Sequence, residues 1–555
     1  MNPFWRLAAG CAIAMGLALP AQAAGGKSVH RANRGAIVKA PAGTMEGIDQ
    51  GALRVFKGIP FAVPPVGSLR WKAPVPLPPW KGVKQTKEFG PACFQPQSRA
   101  VSIYSEPPLP MSEDCLTLNI WAPAKARKAP VFVWIYGGAL WGGASREALY
   151  DGTKLADRGI IVVTINYRIG VLGWLAHPEL SAESPLGISG NYGLLDQIAA
   201  LDWVKRNIAA FGGDPANVTI AGESAGGLSV MYLMASPLAR GLFAKAIAES
   251  AYMISTPELK ESKYGAPSSE ESGVKLAAAL HAADIAALRA MDPDALTNAA
   301  ATAAFGPWGA VDGHVLPGQL VDLFDKGEEA HVPILAGFNQ GEIRSLRILA
   351  PPVPASATDY ETKIRASYGD LAGDFLKLYP STDMQESILA TTRDALYGWT
   401  AERLARKQTA IREPAYLYLF DHPYPAADDA GLHAFHASEL PFVFGTMDRT
   451  GPHWPKIPET AEETRLSDAM IGYWTSFARN GKPTAAGEPE WPAFDADGAY
   501  MYFANTPQPA QNLMPGMYAL NEAVMCRRRA AGGIPWGWNV GVVSPPLPPQ
   551  APRCE

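Results

Sequence analysis

Charge is scarce in this sequence: charged residues make up 18% of its 555 residues, and the formal net charge is −5 at pH 7. Basic residues are not clustered either, since the longest basic run that we identify is Arg527–Arg529 near the C-terminus. Proteins that bind nucleic acid need a concentrated positive surface, so we expect no nucleic-acid partner. With 48% hydrophobic residues, the sequence also lacks the composition of a disordered chain and predicts a globular protein with a sizeable core.

A long hydrophobic run is missing at the N-terminus. The apolar stretch Leu7–Leu19 is shorter than the roughly 20 residues that span a bilayer. It follows Arg6 and precedes the small residues of Ala21-Gln22-Ala23, an order typical of an export signal. We therefore predict a signal peptide over residues 1–23, no stable membrane anchor, and a secreted or periplasmic protein of residues 24–555.

Cysteine is rare, with five residues in the chain, and removal of the signal peptide would leave Cys93, Cys115, Cys526 and Cys554. An even number in an oxidising compartment favours disulfides over the alternative of buried free thiols. Four cysteines allow three pairings, of which Cys93 with Cys115 and Cys526 with Cys554 closes two short loops. The tail from about residue 526, and above all from Gly532, is rich in Pro and Gly and is predicted to be irregular.

Internal repeats of 20 to 50 residues are absent, which argues against solenoids and propellers. Ala129–Ile135 and Gly159–Asn166 are continuous apolar runs, typical of strands buried on both faces of a parallel sheet. Leu194–Ala210 has apolar residues at helical spacing, and Val218–Ala221 is predicted as the next strand. This alternation predicts an α/β fold, with the chemistry on the loops that follow the strands.

Beyond about Ala251 the pattern changes. Ala-rich helical stretches such as Val274–Ala290 alternate with loops rich in Pro and Gly, such as Ala350–Ala355. We interpret them as insertions that cap the sheet of a single large domain over residues 24–555.

The motif G-x-S-x-G occurs at Gly222-Glu223-Ser224-Ala225-Gly226, after the predicted strand Val218–Ala221 and before the apolar, helix-forming stretch Gly227–Met234. Glycines permit a sharp turn that lifts the Ser224 hydroxyl beside a helix N-terminus, whose dipole favours developing negative charge. A tight glycine turn without chemistry is the alternative. The position between strand and helix favours Ser224 as a catalytic nucleophile.

A second glycine-rich turn, Tyr136-Gly137-Gly138-Ala139, directly follows the predicted strand Ala129–Ile135. Acyl transfer needs backbone N–H groups aimed at the oxygen that becomes negatively charged. The N–H groups of Gly138, Ala139 and Ala225 are the candidates for this oxyanion hole. An ordinary turn between a strand and a helix is the alternative here too.

A serine hydroxyl is a weak nucleophile unless a base accepts its proton and an acid orients that base. In α/β-hydrolases, the three residues follow the chain order serine, acid, histidine. The histidines that follow Ser224 are His281, His314, His331, His422, His433, His436 and His453. Spacing alone does not choose among them.

Six parts of the sequence share one resemblance: Phe56–Ala62 with Leu69–Trp71, Ser112–Asn119, Trp134–Gly143, Asn166–Arg168, Gly190–Gly227 and His436–Gly445. Together they resemble the type B carboxylesterases, which include cholinesterases, bile-salt-activated lipase and bacterial para-nitrobenzyl esterases. The resemblance implies an α/β-hydrolase fold: a large, mostly parallel, twisted sheet flanked by helices, with helical and loop insertions that form a cap over the site.

The resemblance also implies a catalytic histidine. Family members carry it in a His-x-x-Glu segment followed by Phe-Val-Phe, which here begins at His436 and ends at Phe444. His436 is thereby implied as the base, and His433 as a bystander. The cysteine of the Ser-Glu-Asp-Cys motif is paired in the family, which implies a disulfide between Cys93 and Cys115.

The acid of the family is a glutamate in a Gly-x-x-x-Asp-Glu-Gly loop after a strand, which implies Glu342 in this chain. The sequence departs from that pattern, since Gly341 and Ile343 replace the usual Asp and Gly. Glu439 and Asp312 remain competing candidates for the acid.

As a whole, the resemblance implies a serine carboxylester hydrolase that works through an acyl-enzyme, without a metal or cofactor. We expect small-molecule esters that are uncharged or partly apolar, including bulky ones, and a monomer or dimer. Choline esters are a poor match, because residues 94–114 contain Phe94 and Tyr104 but lack the tryptophan on which cholinesterases stack the cation. The alternative is a non-catalytic, cholinesterase-like binding or adhesion protein.

Overall fold

One sheet dominates the computed structural model, which describes residues 35–97, 101–537 and 541–554. The predicted signal peptide lies outside the described residues, and those of the range 35–555 belong to one compact unit. The described strands are β1 Gly35–Ala40, β2 Gly43–Asp49, β3 Leu53–Pro60, β4 Val83–Gln85, β5 Thr117–Pro123, β6 Ala129–Ile135, β7 Ile161–Ile165, β8 Gly213–Glu223, β9 Lys245–Glu249, β10 Ile334–Asn339, β11 Ala415–Phe420, β12 Ala499–Phe503 and β13 Pro507–Gln511.

The centre of this sheet is parallel and its edges are antiparallel. The strand order is β1-β2-β3-β5-β7-β6-β8-β9-β10-β11-β12-β13, and β4 pairs with β2. All neighbours from β7 to β12 are parallel, whereas the pairs from β1 to β7 along this order and the pair β12–β13 are antiparallel. The predicted parallel sheet therefore forms the middle of a larger mixed sheet.

Helices follow most of the parallel strands. The α-helices are α1 Thr153–Ala156, α2 Gly170–Trp174, α3 Pro178–Glu183, α4 Tyr192–Asn207, α5 Ala225–Ala235, α6 Ser269–Ala279, α7 Ile285–Ala290, α8 Pro293–Thr302, α9 Leu320–Lys326, α10 Glu342–Ser345, α11 Ala357–Tyr368, α12 Ala372–Leu378, α13 Met384–Arg393, α14 Trp399–Ala410, α15 Pro425–Asp429, α16 Leu440–Phe444, α17 Ala461–Asn480 and α18 Met517–Ala531. A π-helical turn, Asp394–Gly398, joins α13 to α14. The 3₁₀ turns are Gly67–Leu69, Ala148–Tyr150, Ile208–Phe211, Pro237–Ala239, Arg347–Leu349, Gly369–Leu371, Ser381–Asp383, Gly541–Val543 and Pro552–Cys554.

Two predicted strands differ in length from the observed ones. The strand predicted over Gly159–Asn166 is limited to Ile161–Ile165, and the one predicted over Val218–Ala221 extends over Gly213–Glu223. The extension has a physical cause, because Gly222 pairs with Ile135 of β6 and so continues the parallel ladder into the glycine motif. The turn that follows therefore begins directly at residue 224.

Single residues determine where two of the predicted helices end or begin. The stretch Leu194–Ala210 is helical, and its last turn tightens to 3₁₀ before Gly212, which has φ 93°. The stretch Val274–Ala290 is divided between α6 and α7. Asp284 causes the restart, because its side chain accepts a hydrogen bond from the N–H of Ala287 at 2.8 Å and caps the second helix.

The C-terminal tail is more ordered than predicted. Irregular chain was expected from about residue 526, but α18 continues to Ala531 and ends at Gly532, which has φ 72°. The disulfide between Cys526 and Cys554 then holds the last described residues. The N–H of Leu547 also donates to the carbonyl of Ser367, so the disulfide is not the only anchor.

The inserted helices contribute to apolar clusters that are separate from the main core. Helices α6 to α8 bury Leu276, Leu288 and Leu296 in a cluster that packs against the partly buried Trp141. Trp141 lies on the glycine-rich turn after β6, so this insertion borders the region where the strands of the parallel centre end. Within the ranges that the structure describes, no helix is long and apolar enough to cross a membrane.

Candidate active site

Ser224 lies on the sharp turn between β8 and α5. Its backbone angles are φ 59° and ψ −121°, a conformation that residues other than glycine rarely adopt. The N–H of Ser224 donates to the carbonyl of Glu249 at the end of β9, at 2.9 Å. The surrounding sheet thus stabilises a strained turn and holds the serine at the N-terminus of a fully buried helix.

The glycines of the motif are required by close packing. A Cβ added to Gly226 would lie 2.0 Å from the carbonyl oxygen of Ile135, and one added to Gly222 would lie 2.5 Å from the carbonyl carbon of Gly226. Both distances are too short for any side chain. The motif is therefore explained by the packing of α5 against β6, independently of its chemistry.

The glycine-rich turn after β6 lies against this serine. A Cβ on Gly137 would be 3.1 Å from the Cβ of Ser224. Gly138 and Ala139 have φ 96° and 55°, and in the part of the chain that the structure describes their N–H groups have no hydrogen-bond partner. The N–H of Ala225 is the first of α5, where a helix has no internal acceptor. All three N–H groups suit an anion near the serine.

The same turn is fastened to the loop closed by Cys93 and Cys115, which form a disulfide. Gln95 accepts a hydrogen bond from the N–H of Gly143 at 3.0 Å and donates to its carbonyl at 3.1 Å. The carbonyl of Gly138 in turn accepts from the N–H of Trp141 at 2.9 Å. These bonds keep the glycine-rich turn in one conformation.

His436 is buried and its two ring nitrogens face different carboxyl groups. Its Nδ1 forms a short hydrogen bond with Oε2 of Glu342. Its Nε2 lies 3.0 Å from Oε1 of Glu223, the residue directly before Ser224. The imidazole therefore lies between Glu342 and the turn that carries Ser224.

The sequence left three candidates for the acid beside this histidine, and in the structure Glu342 lies there. The other oxygen of Glu342 accepts from the Ser250 hydroxyl at 2.6 Å and from the N–H of Asn339 at 2.8 Å. Glu439 instead forms a hydrogen bond with the side-chain amide of Asn339. Asp312 accepts backbone N–H groups of its own turn, at 2.8 to 3.1 Å.

The departure at position 341 has a steric reason. A Cβ on Gly341 would lie 2.7 Å from the carbonyl oxygen of Leu432 and 2.8 Å from that of Ala434. The N–H of Gly341 also donates to Ala434 at 2.7 Å. The side chain of the Asp that is usual in the family does not fit between these backbone groups. Glycine at position 341 therefore allows the loop of Glu342 to contact the loop of His436.

Two other candidate histidines have partners elsewhere. His422 contacts Glu463 at 2.7 Å. His433 lies 2.7 Å from Asp421 and 3.0 Å from Asp428, and the hydrogen bond with Asp421 is the main reason why its pKa is raised.

Four carboxyl groups of this region are buried: Glu223, Glu249, Glu342 and Glu439. Burial raises the pKa of Glu223, raises that of Glu249 to about 8, and raises that of Glu439 well above its usual value. Burial alone would lower the pKa of His436, but the nearby Glu223 and Glu342 outweigh it and raise that pKa well above 6.5. The two carboxyl groups therefore stabilise the positive charge that the imidazole gains when it accepts a proton.

Several residues of this site were missed by the sequence-based prediction. Ser250, which binds Glu342, follows β9 at the carboxyl end of a central strand, and that position was a usable signal. Tyr104 and Tyr397 contact the backbone and the ring of His436, respectively. No sequence signal predicts those contacts, because 332 positions separate Tyr104 from His436. Among the described residues, no group of three or more His, Cys, Asp or Glu residues is arranged to hold a metal ion.

Comparison with known proteins identifies the family. The model of the carboxylesterase family matches residues 34–520, which is most of the chain. The chain belongs to the carboxylesterase family. It is 36% identical over 491 residues to the fumonisin B1 esterase of Sphingopyxis macrogoltabida, with 83% of this chain and 85% of that protein covered. It is also 36% identical over 473 residues to the para-nitrobenzyl esterase of Bacillus subtilis, with 82% and 92% covered.

Solved structures agree with this assignment. A PNB esterase superposes with a TM-score of 0.76 at 34% identity, covering 87% of this carboxylesterase and 99% of the other chain. The predicted α/β-hydrolase fold and the resemblance to type B carboxylesterases are thereby confirmed. The protein is a carboxylic ester hydrolase that acts on small-molecule esters. The alternative of a non-catalytic binding protein is not favoured, because both relatives are named as esterases.

Proposed function

We propose that this carboxylesterase cleaves esters through a covalent acyl-enzyme on Ser224. In this proposal, His436 is the general base, Glu342 orients it, and the N–H groups of Gly138, Ala139 and Ala225 form the oxyanion hole. The single observation that carries the proposal is the position of the His436 ring, with one nitrogen bonded to Glu342 and the other facing the turn of Ser224.

The steps follow from these positions. His436 Nε2 accepts the Ser224 proton while Ser224 Oγ attacks the ester carbonyl, and the carbonyl oxygen gains negative charge beside the three N–H groups. The protonated His436 then donates its proton to the alkoxide that leaves. A water molecule attacks the acyl-enzyme, with His436 again accepting and returning the proton. Glu342 keeps its hydrogen bond to Nδ1 throughout and stabilises the imidazolium.

We further propose that the substrates are uncharged or partly apolar esters, including bulky ones. Aromatic rings support this class: Trp141 follows Ala139 by two residues and packs edge to face with Phe305 at 6.2 Å. Tyr397 lies 5.3 Å from the His436 ring and packs against Tyr252. A relative at 36% identity is named a fumonisin B1 esterase, which supports an ester as the substrate of this chain as well. Pocket shape sets such a preference more than the catalytic motif does.

Two disulfides, Cys93–Cys115 and Cys526–Cys554, are typical of exported proteins and support a secreted or periplasmic location. We propose that the signal peptide comprises residues 1–23, that residues 24–555 form one catalytic domain, and that the enzyme is a monomer or dimer.

Hydrolysis of para-nitrophenyl butyrate by Ser224→Ala tests the mechanism. We expect kcat to fall by at least about 10⁴-fold, since removal of a serine nucleophile abolishes the covalent route. Ser236→Ala is the matched control, because Ser236 is also buried and its hydroxyl has no hydrogen-bond partner among the described residues. Retained activity in Ser224→Ala, or an equal loss in the control, would contradict the proposal.

A panel of esters tests the substrate class. We expect kcat/KM to be higher for neutral esters with apolar acyl groups than for matched choline esters or esters with a free carboxylate. A preference for charged esters would contradict the proposed class while leaving the mechanism intact.

A further inference from the structure

The loop that carries His436 is held by three consecutive carbonyl groups. The carbonyl of Ala434 accepts from the N–H of Gly341 at 2.7 Å, and that of Phe435 accepts from the side-chain amide of Asn339 at 2.8 Å. Both donors belong to the segment that leads to Glu342. The loop of the proposed base is thus fastened to the loop of the proposed acid, up to residue 435.

The third carbonyl is that of His436 itself, and its donor comes from another part of the chain. The hydroxyl of Tyr104 lies 2.8 Å from this oxygen. Tyr104 belongs to the loop that the Cys93–Cys115 disulfide closes. In the part of the chain that the structure describes, no other hydrogen bond reaches the His436 carbonyl.

The backbone at this point needs such a bond. Ala437 has φ 67°, which is unfavourable for a residue with a side chain, and so the turn after His436 is strained. A strained turn persists only when surrounding contacts stabilise it. Loss of the bond to the His436 carbonyl would let this turn relax and move the imidazole.

The Tyr104 hydroxyl also connects to the acid. It lies 2.7 Å from Oγ of Ser345, the last residue of the short helix that begins with Glu342. A carbonyl can only accept, so Tyr104 is the donor in its contact with His436. The same hydroxyl also contacts Oγ of Ser345, whose own hydroxyl donates to the carbonyl of Glu342 at 3.4 Å. One hydroxyl therefore joins the loop of the base, the helix of the acid and the disulfide loop.

We propose that Tyr104 is a positioning residue for ester hydrolysis: its hydroxyl holds the His436 backbone so that the imidazole stays between Glu342 and the turn of Ser224. This inference rests on the proposed function. The residue acts through His436 and needs no contact with the substrate. The ring of Tyr104 is held separately, edge to face with Trp454 at 6.0 Å, so loss of the hydroxyl alone leaves the packing in place.

Tyr104→Phe tests the inference, with Tyr360→Phe as the matched control. The Tyr360 hydroxyl is also buried and also donates to a backbone carbonyl, that of Tyr379 at 2.9 Å, but in a separate apolar cluster. We expect Tyr104→Phe to lower kcat for para-nitrophenyl butyrate about 10- to 100-fold, since a misplaced catalytic group costs this much. The rate of labelling by a fluorophosphonate should fall in parallel, with KM changed less than about twofold. Both variants should lose some thermal stability, because each loses a hydrogen bond to a backbone carbonyl.

Two results would overturn the inference. The first is a kcat and a labelling rate in Tyr104→Phe within about twofold of wild type, and the second is an equal loss of both in Tyr360→Phe. Wild-type enzyme measured alongside separates this inference from the proposed function. If wild type is labelled at Ser224 and Tyr104→Phe behaves like it, only the role of Tyr104 fails. If wild type is not labelled at Ser224, the mechanism fails and the inference with it.

Discussion

Replacement of Glu342 by glutamine tests how the imidazole is oriented. One oxygen of Glu342 accepts from the N–H of Asn339 at 2.8 Å and from the Ser250 hydroxyl at 2.6 Å. In Glu342→Gln, these two donors keep the amide oxygen in that place, and the NH₂ group then faces Nδ1 of His436. Because an NH₂ group only donates, Nδ1 must become the acceptor and the ring proton must move to Nε2. A ring protonated at Nε2 is unable to accept the proton of Ser224.

The size of the effect follows from this exchange of tautomers. Replacement of the corresponding carboxylate by an amide in a Ser-His-Asp enzyme lowers kcat about 10⁴-fold, which corresponds to about 5.4 kcal/mol of transition-state stabilisation. We expect a loss of this order for Glu342→Gln, with KM little changed. Steady-state hydrolysis of para-nitrophenyl butyrate, with thermal unfolding of the same samples, measures both the activity and the integrity of the fold.

Glu439→Gln is the matched control. Burial raises the pKa of Glu439 well above its usual value and so favours the neutral form of this group, which glutamine resembles closely. The amide is also able to keep the contact with Asn339. We expect less than about a tenfold loss of kcat. The reasoning is refuted if Glu342→Gln retains more than about a tenth of wild-type kcat, or if Glu439→Gln is the more damaged variant.

Three further predictions concern pH and stability. Glu223→Gln removes one of the carboxylates that raise the pKa of His436, so this pKa should fall and the acid limb of the pH profile of kcat/KM should move to lower pH. An acid limb at the same pH as in wild type would contradict this. Burial raises the pKa of Glu249 from 4.5 to about 8 in the folded protein, so wild type should lose stability relative to Glu249→Gln as pH rises from about 4.5 to 8. A stability difference in urea unfolding that does not depend on pH would exclude this. The double variant Cys93→Ala/Cys115→Ala removes the disulfide between two residues that are 22 positions apart, and its free energy of unfolding in urea should be lower by about 3 kcal/mol. An unchanged urea midpoint would show that the disulfide contributes nothing to stability.

The central strands could be predicted because their signal is local. Ala129–Ile135 is buried at every position, and a continuous apolar run is the direct result of burial on both faces. Strands β1 to β4 were not predicted, since they are only partly buried and have no such run. The continuation of α18 past Cys526 was missed because the Pro- and Gly-rich composition of the tail was extended too far towards the N-terminus.

The parts of the site that lie close together in the sequence could be predicted, and those that lie far apart could not. The turn of Ser224 follows from glycines within two residues of it. The pair of His436 and Glu342 is 94 positions apart, and only the resemblance to a family named it. The hydroxyl of Tyr104 and the fit of Gly341 against Leu432 depend on contacts between distant loops, for which a single sequence has no pattern.

The most direct test of the account is the location of a fluorophosphonate adduct. Wild-type protein is labelled, digested and sequenced by tandem mass spectrometry, beside His436→Ala treated in the same way. We predict an adduct on Ser224 in wild type and a labelling rate lower by several orders of magnitude in His436→Ala. An adduct on a different residue, or equal labelling rates in the two proteins, would contradict the claim that Ser224 is a nucleophile activated by His436.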